Sequence, residues 1–249
     1  MKKPVFLTIT ALILISMTLP LSARTGISIG VFGAYSTDCG AIEEKINEAT
    51  ARSNDASDFS SEHDTVMVPG AGLFARYDLT RYLFIRGGAE YYELTSGGDI
   101  KKHEYYTIPD LAYDYEYSIE YSALAFPLFI GLTVSPDRGR TAVYAACGAV
   151  ISRIDMSYEM HEYDSTPHTN DYDSDGSTTV IGAGGIFGIE RRVFSGFYFM
   201  LEYAMYRCET NEQETMERIY DGFPTDDVEY SVKYGLPREQ LRVALRYAF

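Results

Sequence analysis

From Leu241 to Phe249 every second residue is large and apolar: Leu241, Val243, Leu245, Tyr247 and Phe249. The residues between are Arg242, Ala244, Arg246 and Ala248. An extended strand places successive side chains on opposite faces, so this tail has one apolar face and one polar or small face. The same period of two recurs over 26–36, 65–78, 82–94, 118–134, 141–156, 178–190 and 197–208, and the last strand begins near Arg238. Polar stretches separate some of these segments, at 37–64, 95–117, 157–177 and 209–235. Short turns separate the others, at 78–81, 135–140 and 191–196. The pattern predicts eight strands. Ten stay open, because 100–117 or 209–235 has room for a further hairpin.

The connections run long, short, long, short. An antiparallel up-and-down barrel that crosses a membrane predicts this alternation, with short periplasmic turns at one end and long extracellular loops at the other. A soluble lipocalin-like barrel gives no reason to sort loop length by end. The N-terminus agrees with export: Lys2 and Lys3 precede an apolar run from Val5 to Leu21, and Ser22-Ala23 offers a small-residue cleavage site. Residues 1–23 are thus expected to be a cleaved signal peptide and 24–249 a single barrel domain. No Cys follows the cut, which argues against a lipid-anchored mature end. No later apolar segment is long enough for a membrane helix, and only helices and closed barrels satisfy the backbone in lipid. The expected location is the cell outer membrane, crossed many times by a monomer whose first partner is outer-membrane lipid.

Charge narrows the function. Without its first 23 residues the chain carries 19 basic and 36 acidic residues, a net charge of −17. No basic face is available for phosphates, which excludes a general nucleic-acid binder. The 22 Tyr and 21 Gly suit strands with aromatic girdles and close packing in a lumen.

Several of these segments carry a resemblance. The chain resembles the small outer-membrane β-barrel proteins of the OmpA/OmpX type, barrel domain only. The carriers are the signal sequence, the loop alternation, the turn Tyr77-Asp78-Leu79-Thr80-Arg81-Tyr82, the strand Leu124-Ala125-Phe126-Pro127-Leu128 and the terminal Tyr247-Ala248-Phe249. The resemblance implies that the barrel-assembly machinery reads the C-terminal strand through Leu245, Tyr247 and Phe249. No peptidoglycan-binding domain follows the barrel, so an anchoring role is not implied.

Alternation also assigns faces. Leu83, Ile85, Ala89 and Tyr91 fall on the lipid side of their strand, as do Leu73, Ala75 and Tyr77, and Phe199, Leu201, Tyr203 and Met205 on theirs. The strand around Pro127 is apolar on both faces and stays ambiguous. The inward set is Arg76, Arg86, Glu90, Glu190, Glu202, Arg242 and Arg246. Charges in a narrow lumen have to be paired, and an eight-stranded barrel is just wide enough for side chains to fill. A plugged interior held by Arg–carboxylate pairs is therefore expected, with a gated ion path as the other reading.

The acids concentrate in the polar stretches: eight in 37–64, six in 157–177 and eight in 209–235. Such a surface is soluble, and it also attracts cations or basic surface ligands. Asp171, Asp173 and Asp175 precede Gly176 as in the first half of a calcium-binding EF-hand loop, which suggests a weak loop-bound calcium site. The closing carboxylate is missing, and no other cofactor is expected. Residues 41–51 are compatible with a helix. Cys39 and Cys208 both fall at the predicted outer end, where an oxidising compartment allows a disulfide, while Cys147 lies mid-strand as a small packing residue.

Catalysis has little behind it. The four His (63, 103, 161, 168) lie in polar stretches, and the proximity of His161, Glu162 and Ser165 is no more than chance gives at this His content. The expected function is a non-enzymatic scaffold that displays acidic loops for surface interaction, adhesion or envelope integrity. The alternatives are a narrow channel or transporter for small or hydrophobic solutes, and a lipid-modifying enzyme.

Overall fold

A computed structural model describes residues 26–38, 58–61, 68–104, 111–135, 140–164, 169–220, 223–224 and 228–249. The expected signal peptide, the helix-compatible stretch 41–51 and Cys39 lie outside the described residues. Twelve strands run through the described residues: β1 (Ile27–Asp38), β2 (Asp58–Ser61), β3 (Val68–Asp78), β4 (Leu83–Glu104), β5 (Leu111–Val134), β6 (Thr141–Asp164), β7 (Thr169–Phe194), β8 (Phe197–Arg207), β9 (Glu209–Tyr220), β10 (Phe223–Pro224), β11 (Val228–Gly235) and β12 (Glu239–Ala248).

Eight of them close a barrel in the order β1-β3-β4-β5-β6-β7-β8-β12, every neighbour antiparallel. The ring shuts where β1 pairs β12, from Ser28↔Ala248 to Tyr35↔Leu241. Closure leaves the wall without an open edge, which is how a β-structure survives in hydrocarbon. In this ring β4 stands opposite β8, β3 opposite β7, and β5 opposite β12.

The alternation in the sequence becomes the two faces of the wall. β12 reads exposed, buried, exposed along its length, and β8 does the same. The outer face carries Leu73, Ile85, Phe126, Leu128, Ile130, Phe187, Leu201, Val243 and Leu245, all exposed. On β5, ambiguous by pattern, the outward set is Leu124, Phe126, Leu128, Ile130 and Leu132, and Pro127 and Phe129 turn inward. This run of nine residues matches a tilted membrane strand. Tyr35, Tyr91 and Tyr203 sit at one rim of the apolar belt and Tyr77, Tyr82 and Phe194 at the other. Water makes a poor solvent for so continuous an apolar surface, and lipid a good one.

Short turns bind the strands at one end. Thr80 Oγ1 accepts from the backbone N–H groups of Tyr82 (3.1 Å) and Leu83 (3.0 Å). Gly196 turns β7 into β8 with φ of 75°, a backbone region that glycine enters without steric cost. At the other end the polar stretches 95–117 and 157–177 are not the loops their composition suggests. They are largely strand: β4–β5 stay paired up to Glu104↔Leu111, and β6–β7 up to Tyr163↔Thr169. A further hairpin, β9–β11, fills 209–235, yet it prolongs β8 and β12 and adds no strand to the ring. Polar residues on both faces conceal a strand that stands in water on both sides.

Candidate functional site

The lumen gathers the charged residues that alternation turns inward. Arg76, Arg86, Glu90, Glu190, Glu202, Arg242 and Arg246 are all buried, none more than 4 % exposed. They form three layers. Nearest the short turns, Arg76 Nη1 meets Glu190 Oε2 at 3.4 Å, joining opposite strands β3 and β7. Arg246 Nη2 donates to the other oxygen of Glu190 at 2.9 Å, and its Nη1 donates to Ser28 Oγ at 3.0 Å. Arg76 Nε also donates to Asp78 at 2.8 Å.

In the middle layer Arg86 on β4 grips Glu202 on opposite β8 through both guanidinium Nη atoms, and the Tyr144 hydroxyl donates to Glu202 Oε1 at 2.5 Å. In the third layer Arg242 holds Glu90 at two points, Nη1–Oε1 2.9 Å and Nη2–Oε2 2.8 Å. Tyr92 and Tyr206 donate to Glu90 Oε2 at 2.6 and 2.8 Å, and Gln240 Oε1 accepts from Arg242 Nη2 at 2.8 Å. Four guanidinium groups thus meet four carboxylates, three of them buried. Two-point pairing satisfies the planar fork of arginine and the carboxylate together. Such pairs tolerate burial because their remaining lone pairs and protons are also bonded.

Each arginine also lies over an aromatic ring. The Cζ-to-centroid distances are 4.0 Å for Arg76 on Phe84, 3.7 Å for Arg86 on Phe74, 4.5 Å for Arg242 on Phe32 and 4.2 Å for Arg246 on Tyr198. Glycines make room for these rings and for the tyrosines. Gly30 pairs Phe74, Gly72 pairs Phe32, Gly70 pairs Tyr92, Gly131 pairs Phe84, Gly188 pairs Tyr144 and Gly184 pairs Tyr206. A Cβ at any of the six would fall under 3.0 Å from the opposing ring or hydroxyl. The aromatic residue of one strand therefore lies across the bare backbone of the next.

Sequence reasoning missed Tyr92, Tyr144, Tyr206 and Gln240 in this network. The signal for two of them was in plain view: Tyr92 stands two residues from Glu90, and Gln240 two from Arg242, so parity alone puts both in the lumen. Above the third layer the mouth is apolar. Ile119, Tyr121, Ile154, Val180, Tyr234 and Leu236 are buried there in one cluster.

The remaining candidates are scattered. Asp171, Asp173 and Asp175 lie on β7 opposite His161, Glu159 and Ser157, so their backbone runs straight instead of wrapping a cation as a calcium loop does. Gly176 continues the same strand opposite Met156, and among the described residues no group of three His, Cys, Asp or Glu could hold a metal ion. Asp175 instead borders an outward groove of about 580 Å³ above the apolar belt, with Glu93, Glu120 and Asp155. Cys208 is a buried free thiol, 3.3 Å from Ser152 Oγ, and not half of a disulfide. Cys147 lies on the outer face, not packed in an interior, because its parity on β6 matches that of exposed Val143 and Ile151. His161 lies on β6, and Ser165 is outside the described residues. At the C-terminal strand Leu245 faces outward, and the Tyr247 and Phe249 rings meet edge to face at 5.0 Å.

No protein-family model matches the chain, and no curated protein matches it in sequence. Solved structures do resemble it. The outer membrane protein OprG from Pseudomonas aeruginosa aligns over 92 % of this chain and 98 % of its own, with 10 % identity and a TM-score of 0.48. Neisserial surface protein A (NspA) aligns over 90 % and 98 %, with 12 % identity and a TM-score of 0.37. Ail, the attachment invasion locus protein of Yersinia pestis, aligns over 92 % and 100 %, with 12 % identity and a TM-score of 0.37. At these identities the likeness is one of fold.

Proposed function

We propose that this chain is an integral outer-membrane barrel of the OmpA/OmpX kind that works as a sealed scaffold and displays acidic hairpins at the cell surface. The observation that carries the reading is the set of buried ion pairs that join opposite walls, Arg86 to Glu202 and Arg76 to Glu190, inside an apolar outer belt. A barrel whose lumen is bolted across has no solute path to offer, so its working surface is the long-hairpin end. There the chain presents Glu93, Glu120, Asp155 and Asp175 around an open groove, and the stretches beyond add more acids. That surface favours cations and basic ligands through its field, for adhesion or for envelope integrity. The aromatic contacts of Phe197, Tyr247 and Phe249 keep the terminal strand in the form that the assembly machinery is proposed to read.

The test is display on intact cells. An epitope inserted after Asp164 is expected to bind antibody without permeabilisation, in cells whose outer-membrane fraction holds the protein. Labelling that requires permeabilised cells would contradict the reading.

A further inference from the structure

The wall of the barrel is interrupted at one place among the described residues. The β7–β8 ladder ends at Ala183↔Arg207, and the β7–β9 ladder resumes at Asp173↔Glu217. Between these points nine residues of β7, 174–182, run beside nine of the other chain segment, 208–216, with no ladder between them. The two flanking ladders are in the same register, since both segments spend nine residues in the gap. A segment that had slipped or bulged permanently would show unequal lengths.

The gap opens above a tight contact. A Cβ on Gly182 would collide with the Arg207 carbonyl oxygen and fall 2.7 Å from Cys208 Cβ. Cys208 interrupts the strand there, turns inward and donates its thiol to the Val180 carbonyl at 3.7 Å. Beyond it the β9–β11 hairpin leans across the mouth. The Tyr121 hydroxyl on β5 donates at 2.9 Å to the carbonyl of Gly235, at the end of β11, although β5 stands opposite β12 in the ring. Tyr234 and Leu236 are buried in the same place.

We propose that the β9–β11 hairpin is a hinged flap. It bends at Cys208 and Leu236-Pro237 and exchanges between the leaning position and an upright one, in which 208–216 zips onto 174–182. Leaning buries apolar side chains in the mouth, and zipping gains backbone hydrogen bonds along β7. Both gains are favourable and they exclude each other, which is the condition for a two-state element. The preserved register allows the ladder to form without a slip, from Gly182↔Cys208 to Ser174↔Met216. The upright state uncovers the apolar outer half of the lumen and leaves the Glu90–Arg242 layer in place. The flap can therefore fail while the sealed scaffold stands.

Spin labels at Thr179→Cys and Asn211→Cys, opposite each other in the zipped register, test it in the full chain with Cys39→Ser, Cys147→Ala and Cys208→Ser. Distance measurement in liposomes is expected to show two populations. Tyr121→Phe, which removes the bond to Gly235, is expected to raise the short-distance population several-fold. An Ile189→Cys/Leu201→Cys pair, already within a ladder, reports correct folding with one short distance. A single distance for the 179–211 pair, unmoved by Tyr121→Phe in a barrel that passes this control, would overturn the proposal.

Discussion

Arg242 on β12 and Glu90 on β4 make a two-point ion pair, at 2.9 and 2.8 Å, with the arginine 0 % and the glutamate 2 % exposed. Neither can lose its partner cheaply. Arg242→Leu leaves a carboxylate sealed among Tyr92, Tyr206 and Gln240, and breaking such a pair costs about 3–5 kcal/mol. The double variant Glu90→Leu/Arg242→Leu removes both charges and is expected to recover most of that loss. Urea unfolding in detergent, followed by circular dichroism because the chain has no Trp, measures both. A double variant as unstable as the single one would show that the pair is not the unit.

The glycine–aromatic pairs make a sharper test of packing. At Gly188 a Cβ would fall 2.5 Å from the Tyr144 hydroxyl and 2.9 Å from the Leu201 carbonyl oxygen. Gly188→Ala is expected to push Tyr144 off Glu202 and lower stability by roughly 1–3 kcal/mol, the usual range for overpacking. Gly33 faces open space, and a Cβ there would meet no atom within 4 Å. Gly33→Ala is expected to be neutral or slightly stabilising. The fraction of folded, fast-migrating protein on unheated gels compares the two.

Position on the wall should decide the cost of a new charge. Ile130 is half exposed in the centre of the β5 belt, and Ile130→Arg is expected to cost about 2–4 kcal/mol in a bilayer, the range for arginine at the midplane of a barrel. Asp175 is exposed above the belt, and Asp175→Arg is expected to change stability by less than about 0.5 kcal/mol. Equal costs at the two sites would mean that the belt does not face lipid.

The wall was legible because its contrast is binary. Val243, flanked by Arg242 and Ala244, belongs to an alternation so clean that one face had to meet an apolar medium. The same parity placed Glu90 and Arg242 inside. It could not say that Arg86 meets Glu202 and not Glu90, because that choice depends on how the closed ring sets β4 against β8 and β12. The upper strands escaped for a different reason. Along 157–164 and 169–177 both faces meet water, so no apolar face marks the strand, and Asp171, Asp173 and Asp175 read as a loop. Cys208 was placed at the outer end by parity, but only the interrupted ladder beside Val180 explains why it turns inward.

Ion pairs from wall to wall seal the lumen, and planar-bilayer recording of the purified, folded barrel tests this most directly. The native chain is expected to give no discrete conductance steps, and Glu90→Ala/Glu202→Ala, if it folds, to give steps or leak. Reproducible unitary channels from the native chain would contradict a sealed lumen.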